Sequence, residues 1–124
     1  MKKANYKTHP HEWIIELFEE HNARHNLCFY KKKMFGCEAI YLNSKLVLVL
    51  ASKKEPWNGL LLPTEKRHHK SIQSIWPELK PHKILRKWLY ISQKDDNFER
   101  TAPEIVLKIV GQDFRFGVES KKGI

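Results

Sequence analysis

The chain predicts an α+β fold: a two-layer sandwich in which an antiparallel sheet carries helices mainly on one face. Three observations predict it. The apolar period changes from helical to strand-like and back along the chain, a two-residue hairpin signal separates two strand-like runs, and one run is apolar on both faces, as interior strands are. The order is helix, strands, helix, strand, helix, with no repeat and no linker to a second domain. A length of 124 residues suits one domain and is enough to bury a core without disulfides or metal. Residues 1–8 read as a flexible basic arm, 9–118 as the single domain and 119–124 as a flexible tail.

Trp13, Ile14, Leu17 and Phe18 recur at helical spacing, with Glu12, Glu16, Glu19 and Glu20 on the remaining surface. Pro10 suits the first turn of this helix, where its missing N–H is no loss, and the helix should stop near Asn26. From Cys28 to Leu62, short apolar runs broken by turn residues predict three or four strands. Glu38–Leu42 and Lys45–Ala51 flank Asn43-Ser44, a connection of hairpin type because asparagine tolerates the left-handed backbone such turns require. Leu46 to Leu50 belongs in a sheet interior. The segment from Lys53 to Gly59 is a loop, and Leu60-Leu61-Leu62 resumes the sheet.

His68, Ile72, Ile75 and Trp76 predict a second, short helix, with Thr64 as N-cap and Pro77 as its stop. A loop runs through Pro81. From Lys87 to Gln93, Trp88, Tyr90 and Ser92 alternate with Leu89 and Ile91, the period of a strand crossing the same sheet. Thr101-Ala102-Pro103-Glu104 reads as a capping box that starts the last helix. Ile105, Val106, Ile109 and Val110 form its apolar face, and Gly111 is placed for a left-handed C-terminal cap. The inward periods nominate Trp13, Leu17, Leu48, Leu50, Ile72, Trp76, Leu89, Ile91, Val106 and Val110 as core.

Composition narrows the function classes. No apolar run reaches the roughly 18 residues of a membrane span, and the first residues lack a secretory signal, so a cytoplasmic protein with no membrane partner is expected. Cys28 and Cys37 should be free thiols, being too few for a disulfide framework.

Lys33-Met34-Phe35-Gly36 followed by Ala39-Ile40-Tyr41-Leu42-Asn43-Ser44-Lys45 resembles the opening motif of TfoX N-terminal-domain-like proteins, a Met-Phe-Gly strand and a hairpin of the type aromatic-x-x-Gly-Lys. Lys87-Trp88-Leu89-Tyr90 and the closing helix resemble the related YjbR-like proteins, so the likeness spans about residues 10–118. Cys37 and Ser44 stand where those domains commonly carry glycine. The resemblance implies an α-β(3)-α-β(2)-α two-layer fold and a binding or regulatory role, with DNA-related roles proposed for some members. It carries over no catalytic residue.

Several constellations bear on chemistry. His21 and His25, at i and i+4, with Cys28 and Cys37 following, offer ligands of the right type for zinc but at a spacing of no zinc motif, so no metal and no cofactor are expected. His11-Glu12 lacks the second histidine of HExxH, since Ile15 occupies that position. No GxSxG, glycine-rich phosphate loop or paired acidic motif is present, and Asp95-Asp96 reads as a solvated turn. A non-enzymatic role is therefore expected, the alternative being a small-molecule-binding enzyme that uses a sheet groove near Trp57. Trp57, in a Pro/Asn/Gly loop, reads as a structural lid over the sheet edge or as a ligand anchor.

Charge is the strongest pointer to a partner. The net charge is +9. Residues 36–93 hold ten Lys/Arg against four acids, whereas 1–35 hold seven against four and 94–124 six against six. The central excess is densest at Lys66, Arg67 and Lys70, then at Lys80, Lys83, Arg86 and Lys87, with His68, His69 and His82 able to add charge in mild acid. Lys66, Arg67, Lys70, Lys83, Arg86 and Lys87 are the nucleic-acid-binding candidates, for weak and largely sequence-independent contact with phosphates. An acidic protein partner and a merely solubilising surface are the other readings.

Overall fold

The computed structural model describes residues 11–119. The basic arm at 1–8, Pro10, and positions 120–124 of the expected tail lie outside the described residues. Within the described residues, three helices and a seven-stranded antiparallel sheet form a mixed α+β fold. Among the described residues no helix is long and apolar enough to cross a membrane.

Helix α1 (Glu12–His25) ends at Asn26, whose left-handed φ of 56° closes it where the sequence predicts. Ile14, Ile15 and Phe18 are buried and Leu17 is half-buried. Trp13 corrects the expected core, being 36% exposed. Each residue turns about 100° around the helix, so a stripe that includes Ile15 leaves Trp13 at the rim. Its indole there lies edge-on to Phe98 at 6.4 Å.

Four strands follow: β1 (Phe29–Met34), β2 (Cys37–Leu42), β3 (Lys45–Ser52) and β4 (Asn58–Leu62). Phe35-Gly36 and Asn43-Ser44 join the first three as two-residue hairpins, with φ values of 55°, 75°, 51° and 71°, the pair of positive angles that matches strand twist. β3 pairs with β2 along one side, and along the other with β4 and with the short β7 (Val118–Glu119), end to end. Ile40 faces Leu48 while Tyr41 faces Leu46, so Val47 is the extra residue of a bulge. Val47 and Leu48 consequently join the same core cluster, while Leu46 and Val49 join the one on the opposite face.

After a 3₁₀ turn at Lys66–His68 comes α2 (His69–Ile75), then β5 (Lys80–Pro81), β6 (Leu89–Ser92), α3 (Phe98–Val110) and β7. The strand order β1-β2-β3-β4-β6-β5 puts the lysine-rich β1 at one end and the proline-bearing β5 at the other. The order adds a fourth strand before α2 and a seventh after α3 to the α-β(3)-α-β(2)-α plan.

Local signals were overridden at several ends. Thr64 is no N-cap: its hydroxyl donates to the Arg115 carbonyl at 2.6 Å, and the 3₁₀ turn intervenes before α2. α3 starts at Phe98, three residues before the expected capping box, because Phe98 is itself a core residue. Thr101 then lies inside the helix and donates to Glu78, Glu104 accepts the Trp76 Nε1–H at 2.7 Å, and Pro103 is interior. Gly111 has φ −74°, and Gln112 takes the positive φ of 63° instead. Ile75 is exposed, and Glu119 pairs with Lys45 in β7 rather than belonging to a tail.

Two core clusters flank the sheet. One joins Ile14, Ile15 and Phe18 of α1, Ile72 of α2 and Ile105, Val106, Ile109 and Val110 of α3 to Ile40, Leu48, Leu50, Leu60, Leu62, Leu89 and Ile91 of the sheet. The other holds Cys37, Ala39, Tyr41, Leu46, Val49, Ala51 and Leu61, and among the described residues no helical residue belongs to it. Half-buried Trp57, Leu85, Trp88 and Tyr90 pack over this second face. Of the nominated core, Leu48, Leu50, Ile72, Trp76, Leu89, Ile91, Val106 and Val110 are buried.

Candidate nucleic-acid interface

The basic candidates are brought together by strand pairing. Lys66 follows the end of β4 and Lys87 precedes the start of β6, and these strands are neighbours, with Leu62 opposite Leu89. The Trp88 N–H donates to the Leu85 carbonyl at 2.8 Å, which makes Leu85-Arg86-Lys87-Trp88 a β-turn with the two cations at its tip. This turn shortens the expected strand to Leu89–Ser92. His82 N–H donates to the Trp88 carbonyl at 2.9 Å, and His69 Nε2, which can only donate there, reaches the Lys87 carbonyl at 2.7 Å. Arg86 and Lys87 are thereby held on fixed backbone.

Lys66, Arg86 and Lys87 line one groove of about 680 Å³, with Ile84, Leu85, Trp88 and Val118 as its apolar wall. Thr64, Glu65 and Glu119 complete it. All six basic candidates are exposed, but only three of them line this groove. Arg67 bonds Glu65 through Nε at 2.6 Å, and that bond, with the charge of Arg67, holds the Glu65 carboxyl below its ordinary range. Lys70 lies on α2 outside the groove wall. Lys83 lines a separate cavity of about 320 Å³ with Glu55, Glu78, Tyr90 and Asp95.

His82 is not part of the basic surface. It is buried, its Nδ1 accepts the N–H groups of Ile84 at 3.1 Å and Leu85 at 2.9 Å, and its Nε2 donates to the Pro56 carbonyl at 2.7 Å. These partners define the neutral Nε2–H tautomer. Trp57 is tilted against the His82 ring at 4.6 Å and against Phe35 at 6.0 Å, half-buried on the second core cluster.

Beside Trp57, Glu55 accepts hydrogen bonds from the hydroxyls of Tyr90, at 2.7 Å, and Ser92, while Tyr90 accepts the Asn58 N–H at 2.8 Å. Burial alone would raise the Glu55 carboxyl, but these donors and the charge of Lys94 outweigh it and keep it below its ordinary value. Burial, with the Glu55 carboxylate alongside, pushes the Tyr90 phenol up. Each group already has an internal partner, the arrangement of a tether between the 53–57 loop and β6.

Cys28 and Cys37 are free and sit at opposite ends of the β1–β2 hairpin, so the four sulfur and imidazole ligands do not assemble. Among the described residues no three His, Cys, Asp or Glu side chains group as a metal site. Asp95 accepts the Asn97 N–H at 2.8 Å, a turn role.

Sequence reasoning missed Trp88 as a groove residue, since its alternation reads only as strand. It also missed the anchoring role of His82, for which HisxxLeu before a basic pair was the available but unspecific signal. No family model matches the chain, and no curated protein or solved structure matches it either.

Proposed function

We propose that the chain is a non-enzymatic, TfoX/YjbR-like binding module of the cytoplasm that takes nucleic acid on the groove of Lys66, Arg86 and Lys87. The observation that carries this reading is the meeting of these three cations, from segments on either side of α2, on one concave surface. The Leu85–Trp88 backbone that carries two of them is already hydrogen-bonded, so the ordering cost on binding falls on the side chains. The chemistry is phosphate neutralisation with counterion release, which needs no base-reading motif.

The test is fluorescence anisotropy with a 20-base-pair duplex, from 50 to 200 mM salt. Three phosphate contacts contribute a slope of about 2.7 in log K against log salt, or about 40-fold in affinity over that fourfold range. Replacing Lys66, Arg86 and Lys87 together by alanine should remove that contribution. The Lys66/Arg67/Lys70→Ala variant should remove only about one unit, since Arg67 is already paired and Lys70 lies outside the groove. No binding at 50 mM salt by the duplex or by either of its single strands, or equal slopes for wild type and the Lys66/Arg86/Lys87 variant, overturns the reading in favour of an acidic protein partner or a solubilising surface.

A further inference from the structure

We infer that the groove prefers a single strand to a duplex, with one base laid against the Trp88 indole and the flanking phosphates on Lys66, Arg86 and Lys87. This inference rests on the nucleic-acid reading and adds to it the form of the ligand. Phosphate neutralisation alone asks only for cations; here the cations rim an apolar hollow built from Ile84, Leu85, Trp88 and Val118. Ile84 is 61% exposed beside Lys83 and Arg86, an apolar surface with no role in the core and no use for a duplex backbone. An unstacked base has the π-face that fills such a hollow, and the bases of a duplex are stacked and paired away from it.

The geometry sets which atoms do what. Trp88 is half-buried, packed on the second core cluster, so its ring is held as a platform and its orientation does not have to be bought by the ligand. The Leu85–Trp88 turn puts Arg86 and Lys87 immediately before the platform in the chain. Lys66 approaches from the end of the neighbouring strand. Of the two carboxylates that line the groove, Glu65 is ion-paired with Arg67, which leaves Glu119 facing three cations. A volume of about 680 Å³ accommodates a base with its sugar.

The experiment compares three labelled probes at 50 mM salt: a 12-nucleotide single strand, the same sequence as a duplex, and inorganic polyphosphate, which has charge and no base. Wild type should bind the single strand at least tenfold more tightly than either other probe. Trp88→Leu should weaken single-strand binding by about 5- to 100-fold and leave polyphosphate binding unchanged, while Trp88→Phe, which keeps a ring face, should lose less than about fivefold. Circular dichroism melts establish that the variants are folded; should Trp88→Leu not fold, the wild-type probe ranking and Trp88→Phe carry the test. Equal wild-type affinity for single strand and duplex, or an equal loss on all three probes in folded Trp88→Leu, overturns this inference while the nucleic-acid reading stands. Failure of every probe to bind overturns both.

Discussion

Replacing His82 by leucine should show how much of the groove depends on one buried ring. The substitution keeps bulk but removes an acceptor for the Ile84 and Leu85 N–H groups and a donor to the Pro56 carbonyl. Exposed Ile84 lets water reach its N–H, whereas Leu85 and Pro56 are half-buried, so two of the three orphaned groups carry most of the penalty. At about 1 to 3 kcal/mol for each buried group left unpaired, His82→Leu should cost roughly 2 to 6 kcal/mol. That is a large share of the about 5 to 15 kcal/mol typical of a domain. His82→Asn is the informative partner variant: its Oδ1 can stand where Nδ1 accepts, so of these hydrogen bonds it should lose only the one to Pro56, at about 1 to 3 kcal/mol. Urea unfolding at neutral pH, with the slope m unchanged, measures both. A His82→Leu cost below about 0.5 kcal/mol, or an Asn variant as damaged as the Leu one, would refute the assignment of His82 as the anchor of the 82–88 segment.

Other outcomes follow from single positions. A Cβ at Gly59 would stand 2.1 Å from the Ile91 carbonyl oxygen and 2.9 Å from the Gln93 nitrogen, so Gly59→Ala should force β4 from β6 and cost about 1 to 3 kcal/mol or more in urea melts; a neutral result would contradict the strand spacing. Ser44 has φ 71°, and Ser44→Gly should raise stability by about 0.5 to 1 kcal/mol, read as a higher melting temperature, because serine is strained in the left-handed region. Arg115, bonding through its side chain, holds the Asp113 carboxyl below its unfolded value, so the stability this contributes is complete above the unfolded value of about 3.9 and is lost as pH falls through the folded one. The gap between wild type and Asp113→Asn should therefore be constant from pH 5 to 8 and close in stronger acid; a gap that widens on acidification would be the wrong sign.

The features legible in the sequence were those with local causes. Asn43-Ser44 marks its hairpin because the turn needs residues that accept positive φ, and Leu46 to Leu50 marks a doubly covered strand because both its faces are apolar. The bulge at Val47 was not legible, since an extra residue exists only relative to the partner strand. The capping pattern at Thr101 was overridden once Phe98 found a place in the core and Trp76 claimed Glu104. The basic candidates were visible as a count, but not the pairing of β4 with β6 that gathers three of them, nor the Glu65 carboxylate that offsets Arg67. His82 looked like one more titratable cation in a basic run, and only burial shows it to be a backbone anchor.

The two ends of the strand path have a consequence for how the molecules behave toward one another. β5 offers only two residues, and its Pro81 has no N–H to give a visiting strand. β1 offers six, with Lys31, Lys32 and Lys33 exposed along it, so two copies meeting edge to edge would align like charges. One guard is steric and indifferent to the medium; the other is ionic and weakens as the Debye length contracts from about 10 Å at 0.1 M salt to about 3 Å at 1 M. Concentrated salt therefore disarms β1 and leaves β5 as it was, and self-association through the β1 edge should rise with ionic strength.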